Sequence, residues 1–265
     1  MKHSTTKSIV KRIWSGALVA AFWLLVWELV YLYVGKEILV VSPFRAARRL
    51  FELSGQPLFW RAVGATGLRV MSSFLLSLAV GAALAVASFR FRLLHALLRP
   101  LFNVIKSTPV ASFIILALIW MSSAQLPGFI AFVMVTPLVW SNLYAGLGQV
   151  DAELLEMAKI FRFNAPGKVR LIYLPALMPY FIAACSTGLG FAWKSAIAAE
   201  VICHPKSSIG TRIYDAKIYL ETPDLFAWTI AVVVLSVLLE NIAIRLLRAL
   251  SERLLAGSAQ KGAGQ

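Results

Sequence analysis

Four ionisable side chains stand out within otherwise apolar stretches of this sequence: Glu28, Lys106, Lys194 and Glu200. A charge in such surroundings is costly unless it is paired, reaches an interface, or faces a path for ions or solutes. Glu28 reads as half of an ion pair with a neighbouring basic residue. Lys106, just ahead of Thr108-Pro109, reads either as a side chain snorkelling to the nearer interface or as a ligand. Lys194, within Phe191-Ala192-Trp193-Lys194-Ser195, could attract an anion. Its competing role is an internal ion pair with Glu200 or Glu28, or packing against another helix. Glu200 lies six residues further on, and so on a different helical face from Lys194. Lys194, Glu200 and Lys106 are the candidates for a substrate path.

Catalytic chemistry finds no comparable set. No His-Glu-x-x-His, paired acidic metal motif or Cys/His cluster occurs, and His3, His95 and His204 are isolated and expected to be solvated or interfacial. No Gly-x4-Gly-Lys-Ser/Thr phosphate loop occurs either. Cys185 and Cys203 sit eighteen residues apart on what reads as one helix, too far to bond. The expectation is a chain that is not an enzyme and binds no metal.

The elements that carry these charges can be read from composition. The 265 residues include 26 Lys and Arg against 12 Asp and Glu, a formal charge of +14, yet 60% are hydrophobic and 14% charged. Soluble domains carry roughly 25% charged residues. Disorder requires low hydrophobicity, and a soluble nucleic-acid binder carries its basic patch on a domain of ordinary hydropathy. What remains is an all-α, polytopic membrane helical bundle. About 20 apolar residues cross a bilayer, and six such runs occur: about 15–34, 62–89, 97–121, 126–147, 176–202 and 225–246. The third is interrupted by Lys106 and Pro109. The first is too long for a signal peptide and lacks a small-x-small cleavage site, so it reads as a retained anchor.

Fifteen of the 26 basic residues fall on the side of the N-terminus (Lys2, Lys7, Lys11, Arg12; Arg90, Arg92, Arg99; Lys159, Arg162, Lys168, Arg170; Arg245, Arg248, Arg253, Lys261) and eight on the other. Both termini are therefore expected in the cytoplasm. The organisation reads as a cytoplasmic tail 1–14, a transmembrane domain 15–250 and a disordered cytoplasmic tail 251–265. Arg45, Arg48 and Arg49 break the asymmetry. They lie in a stretch that Ser42-Pro43 opens as a capped amphipathic helix, read either as a solvated connector or as a docking surface for an outside partner.

The longest inside loop, about 149–175, reads helix, break, short helix, Pro, membrane. Asp151, Glu153 and Glu156 suit a helix N-terminus, Phe163-Asn164-Ala165-Pro166-Gly167 breaks the chain, and Asn164 is placed to cap the short second helix. Periodicity alone favours a structural connector; a docking element is the other reading. The loop also supplies Glu156-Met157-Ala158, three residues, Arg162, nine residues, then Ile172-Tyr173-Leu174-Pro175. In spacing it resembles the Glu-Ala-Ala…Gly…Ile-x-Leu-Pro signature of permease subunits of binding-protein-dependent ABC importers. Met157 replaces the first Ala and Arg162 replaces the Gly.

Trp27-Glu28-Leu29, Ser42-Pro43, Tyr144-Ala145-Gly146-Leu147, Ala198-Ala199-Glu200-Val201-Ile202 and Ile209-Gly210 are similar to the nitrate, sulfonate and taurine branch, over about residues 24–250. The resemblance implies the permease fold of these importers in a cell (inner or plasma) membrane. It implies a pathway formed with a second copy of the chain, a cytoplasmic ATPase dimer that uses the ATP, and an extracytoplasmic substrate-binding protein. No nucleic acid is expected. The coupling residues it implies are Glu156, Ala158, Arg162, Asn164, Gly167, Ile172, Leu174 and Pro175, with a coupling helix near 163–170. Arg strains a turn that Gly would enter freely, so Asn164 or Gly167 is expected to move the turn downstream, unless Arg162 makes a charged contact with the ATPase. The alternatives from other classes are a secondary transporter or channel working without an ATPase, and a polytopic membrane enzyme.

Overall fold

The computed structural model describes residues 3–262, with side chains described at 14, 16–249 and 251. Eleven helices succeed one another among the described residues. They are α1 His3–Val34, α2 Pro43–Ser54, α3 Pro57–Arg90, α4 Arg92–Ser107, α5 Val110–Ala117, α6 Leu126–Leu147, α7 Ala152–Ile160, α8 Ala165–Lys168, α9 Leu174–Cys203, α10 Ile209–Ile218 and α11 Thr222–Gly262, with a π-helical turn, Val169–Tyr173, between α8 and α9. Five helical stretches are long and apolar enough to span a membrane: Gly16–Val34, Pro57–Arg90, Leu126–Leu147, Ala165–Cys203 and Thr222–Ala249.

The third of the six expected runs, interrupted in the sequence by Lys106 and Pro109, is a broken helix pair, and counting it as one span brings the spans among the described residues to six. It divides into α4 and α5, bent by 102° at the break. Thr108, ahead of Pro109, is extended (φ −77°, ψ 130°). Proline's ring disfavours helical backbone at the residue before it, so the chain leaves α4 there and restarts at Val110. The backbone of α11 continues to Gly262, through a stretch rich in the good helix formers Leu, Ala, Arg and Glu; residues 263–265 lie outside the described ones, as do the side chains of most of the tail and that of His3.

Contacts gather the chain into two compact units. One holds the chain up to Trp60 together with Arg212–Val232. Here Ser42 caps α2 by accepting from the Arg45 N–H at 3.3 Å, with Pro43 in the first turn where its missing N–H costs nothing. Trp27 donates its indole N–H to the Val41 carbonyl at 2.9 Å and stacks on Phe226. Thr222 donates to the Ile38 carbonyl at 2.8 Å, and Phe59 stacks on Trp228 at 4.9 Å.

The three arginines that break the charge asymmetry each meet a carboxylate: Arg45 pairs with Glu37, Arg48 with Glu52, and Arg49 with both Glu52 and Asp224. Hydrogen bonds from Arg49 and then Arg48 hold the Glu52 carboxyl below the usual range. The hydrogen bond to Asp224 raises Arg49. Phe44 and Phe51 of α2 remain exposed, at 77% and 81%. Glu28 is half-buried and, among the described residues, forms none of these ion pairs.

The other unit holds Arg61–Thr211 and the chain from Val233. Its centre is α6 against α9, where lipid tails offer no hydrophobic drive between helices and close packing of small residues must supply the attraction. A Cβ at Gly146 would lie 2.8 Å from the Tyr180 ring, and one at Gly81 would lie 2.8 Å from Val139. His95, expected to be solvated or interfacial, is instead stacked on Tyr144 at 4.2 Å and on Trp140 at 5.5 Å. Trp140 donates to the Ser88 hydroxyl at 3.0 Å.

Candidate coupling element and translocation path

The inner-loop element is built from local caps. Asp151 accepts from the Glu153 N–H at 2.8 Å and starts α7. Along α7 Ala158 is fully buried, while Glu156 is exposed and forms no side-chain hydrogen bond or ion pair among the described residues. Ile160 and Phe161 are exposed at 78% and 68%.

The helix then ends in a closed pattern. Phe163 N–H bonds to the Ala158 carbonyl at 2.9 Å and Arg162 N–H to the Lys159 carbonyl at 3.1 Å. These 6→1 and 5→2 bonds are a Schellman cap, whose last-but-one residue must be left-handed and is usually Gly. That residue is Arg162, at φ 53°. The turn has therefore not moved downstream to Asn164 or Gly167, because two hydrogen bonds hold it in place against a strain of roughly 1–2 kcal/mol.

Asn164 and Gly167 have a different task. Asn164 is extended (φ −68°, ψ 163°) and its side-chain oxygen accepts from the Gly167 N–H at 2.8 Å, capping α8. A Cβ on Gly167 would sit 2.7 Å from that same oxygen. Glycine is required here for space, not for its φ.

The π turn comes next, closed by the Leu174 N–H on the Val169 carbonyl. Pro175 brings no N–H and its ring crowds the carbonyl four residues back; a one-residue widening accommodates it, and helix runs on from Ala165 to Cys203 without a break. Ile172 is buried, and Leu174 and Pro175 are half-buried.

Among the charges within the spans, Lys194 stands exposed on α9, on the same face as Thr187, Phe191 and Ala198. It makes no ion pair with Glu200. Lys106 donates to the Ser141 hydroxyl of α6 at 3.0 Å. Glu200, expected on the path, is fully buried. Its oxygens accept from Thr66 Oγ1 at 2.9 Å, from an Arg69 guanidinium N–H at 2.9 Å and from the Gly210 N–H at 3.1 Å. Thr66 Oγ1 accepts in turn from the Ile209 N–H at 3.0 Å, and Arg69 also donates to the Lys206 carbonyl at 3.1 Å. A Cβ at Gly210 would lie 2.4 Å from the Glu200 Cβ.

The short motifs around Glu200 and Ile209-Gly210 thus meet in one knot, joined by two α3 residues that sequence reasoning left unassigned. Arg69 carried a signal, a basic residue inside an apolar run; Thr66 carried none. Also unassigned was Glu240 of α11, which accepts from the Ser186 hydroxyl of α9 at 3.2 Å.

Comparison with known proteins matches residues 77–256 to the family described as binding-protein-dependent transport system inner membrane component. A probable ABC transporter permease of Brucella melitensis is 26% identical over 189 residues, 70% of this chain and 74% of that protein. A bicarbonate transport system permease of Synechococcus elongatus is 27% identical over 162 residues, 60% of this chain and 57% of that protein. A crystal structure of a bacterial ABC transporter involved in import of the acidic polysaccharide alginate shares the fold, with TM-score 0.58 at 16% identity over 93% of this chain and 99% of that one.

Removing one partner of a buried ion pair leaves an uncompensated charge, at about 3–5 kcal/mol. Arg69→Gln should therefore lower the unfolding temperature of the detergent-purified chain markedly more than Thr66→Val, which leaves the guanidinium in place. Arg162→Gly should relieve about 1 kcal/mol of strain and raise hydrogen-exchange protection of the amides at 162 and 163. Lower protection in that variant would show that the left-handed turn is not strained.

Proposed function

The chain belongs to the family of binding-protein-dependent transport system inner membrane components, non-catalytic permease subunits of ABC transporters, and we propose that it lines the path of a small anionic solute into the cytoplasm. The ATPase is a separate subunit, and it engages the element α7–α8. The observation that carries this reading is the Schellman cap at Arg162. It keeps the helix–turn–helix at the place where the family signature has Gly, and leaves Glu156, Ile160 and Phe161 exposed beside it. An exposed carboxylate flanked by large apolar side chains suits insertion into a groove on a partner, with the apolar groups buried on docking.

The path forms between two copies of the chain. The exposed face of α9, carrying Lys194, has no cover within one chain. Lys194 at membrane depth has a reason to be there if a second copy closes a water-filled passage over it. Lys106, which donates to Ser141, adds a second cation to the same role. An anion fits both, and both the bicarbonate permease and the alginate importer act on anionic cargo. A binding protein delivers the solute from the outer side, and both termini lie in the cytoplasm.

Two measurements test this. Glu156→Ala should lower co-purification of the cognate ATPase several-fold while leaving the membrane abundance of the chain unchanged; equal recovery from both would remove the coupling assignment. Lys194→Gln should abolish solute uptake by the assembled transporter without loss of assembly, and unchanged uptake would eliminate its place on the path.

A further inference from the structure

Two cavities lie side by side where α3, α6 and α9 end nearest the coupling element. The first, of about 520 Å³, runs between Val86, Phe89 and Arg90 of α3, Leu147 of α6, and Val169 and Tyr173 of the π turn. The second, of about 320 Å³, continues from it past Ala82, Leu143, Met178 and Phe181. Val86, Leu147 and Leu177 line both, so the two adjoin. Each falls in the size range of ligand sites.

The pair has a direction. Its far end, towards Phe181, is lined by apolar side chains alone. Its near end is lined by Arg90 and Tyr173. Arg90 is the last residue of α3. It lies over the Phe91 ring at 5.6 Å and is paired with no acidic group among the described residues. Val86 is 58% exposed and Val169 57% exposed, so the groove opens sideways. The helices α3, α6 and α9 are long and apolar enough to span a membrane, and the groove lies at the ends of them that adjoin the inner-loop element, where a span meets the headgroup layer.

We propose that this groove holds one anionic phospholipid of the membrane, its phosphate at Arg90 and an acyl chain laid along Val86 and Leu177 towards Phe181. A slot that is apolar at one end and singly cationic at the other matches an anionic lipid in both polarity and charge. Hydrocarbon is the medium available to fill an apolar opening at that depth, and an Arg near an anionic headgroup favours it over a neutral one by about fivefold. Val169 and Tyr173 belong to the π turn, so the bound lipid forms part of the wall behind α8. The proposal goes beyond the transport reading. It requires only that α3, α6 and α9 span the membrane, and neither the identity of the solute nor ATPase docking enters it.

The test uses the full-length chain, purified from vesicles of equal dioleoylphosphatidylglycerol and dioleoylphosphatidylcholine, with retained lipid counted by native mass spectrometry. The wild type should retain about one phosphatidylglycerol, preferred roughly fivefold over phosphatidylcholine. Arg90→Gln should reduce that preference to near parity. Val86→Trp, a change at an exposed position that fills the slot, should remove retention of both lipids while the unfolding temperature in lipid-free detergent stays unchanged. Undiminished retention in both variants overturns the proposal. So does efficient cross-linking of a Val86→Cys chain to a second copy in the membrane, which would make the groove a protein interface.

Discussion

A buried carboxylate sets the terms for the larger unit of this protein. Glu200 has no access to water, and an isolated carboxylate in such a place would be intolerable. Each oxygen is therefore met: a hydroxyl and a guanidinium from α3, a backbone N–H from α10, and behind them the Ile209 N–H on Thr66. The consecutive helices α9 and α10 and the distant α3 are thereby fixed at one point. The close approach of Gly210, with no room for a Cβ, results from the same demand. Apolar packing between α6 and α9 is permissive about register; a fully satisfied polar knot is not.

The element at the opposite end of α9 is organised by short-range bonds instead. Asp151 and Asn164 cap successive helices, and the Schellman turn between them is closed by backbone alone. That difference explains why Arg can occupy a position that the family signature gives to Gly. The conformation is imposed by two main-chain hydrogen bonds that any residue can make, and the side chain contributes only a local strain. The polar character of Arg162 is then free to face outward from the turn.

What was legible in the sequence divides along the same line. The run 126–147 coincides with α6, the caps at Ser42 and Asn164 are where residue type and spacing place them, and α7 starts at the acidic stretch that Asp151 opens, because caps and periodicity are local. The turn at Arg162 was misjudged from intrinsic preference, since side-chain strain was weighed without the hydrogen bonds that override it. The role of Glu200 was hidden because its Arg69 partner is 131 residues away. A charge inside an apolar run announces that it needs a partner without naming one. His95 was similarly opaque: its surroundings come from α6, and nothing adjacent in the chain predicts a stack of rings.

The π turn at Val169–Tyr173 has a structural consequence. A proline at the head of a helix is a common place for it to end, yet the widened turn carries helical backbone past Pro175, so that 39 residues from Ala165 to Cys203 form one continuous helix with Pro179 inside it. At 1.5 Å per residue that helix is roughly 58 Å long, about twice the thickness of the hydrocarbon. One unbroken backbone thus joins the capped turn of α8 to the Glu200 knot, so the inner-loop element and the buried polar anchor belong to a single helix and not to two joined by a loop.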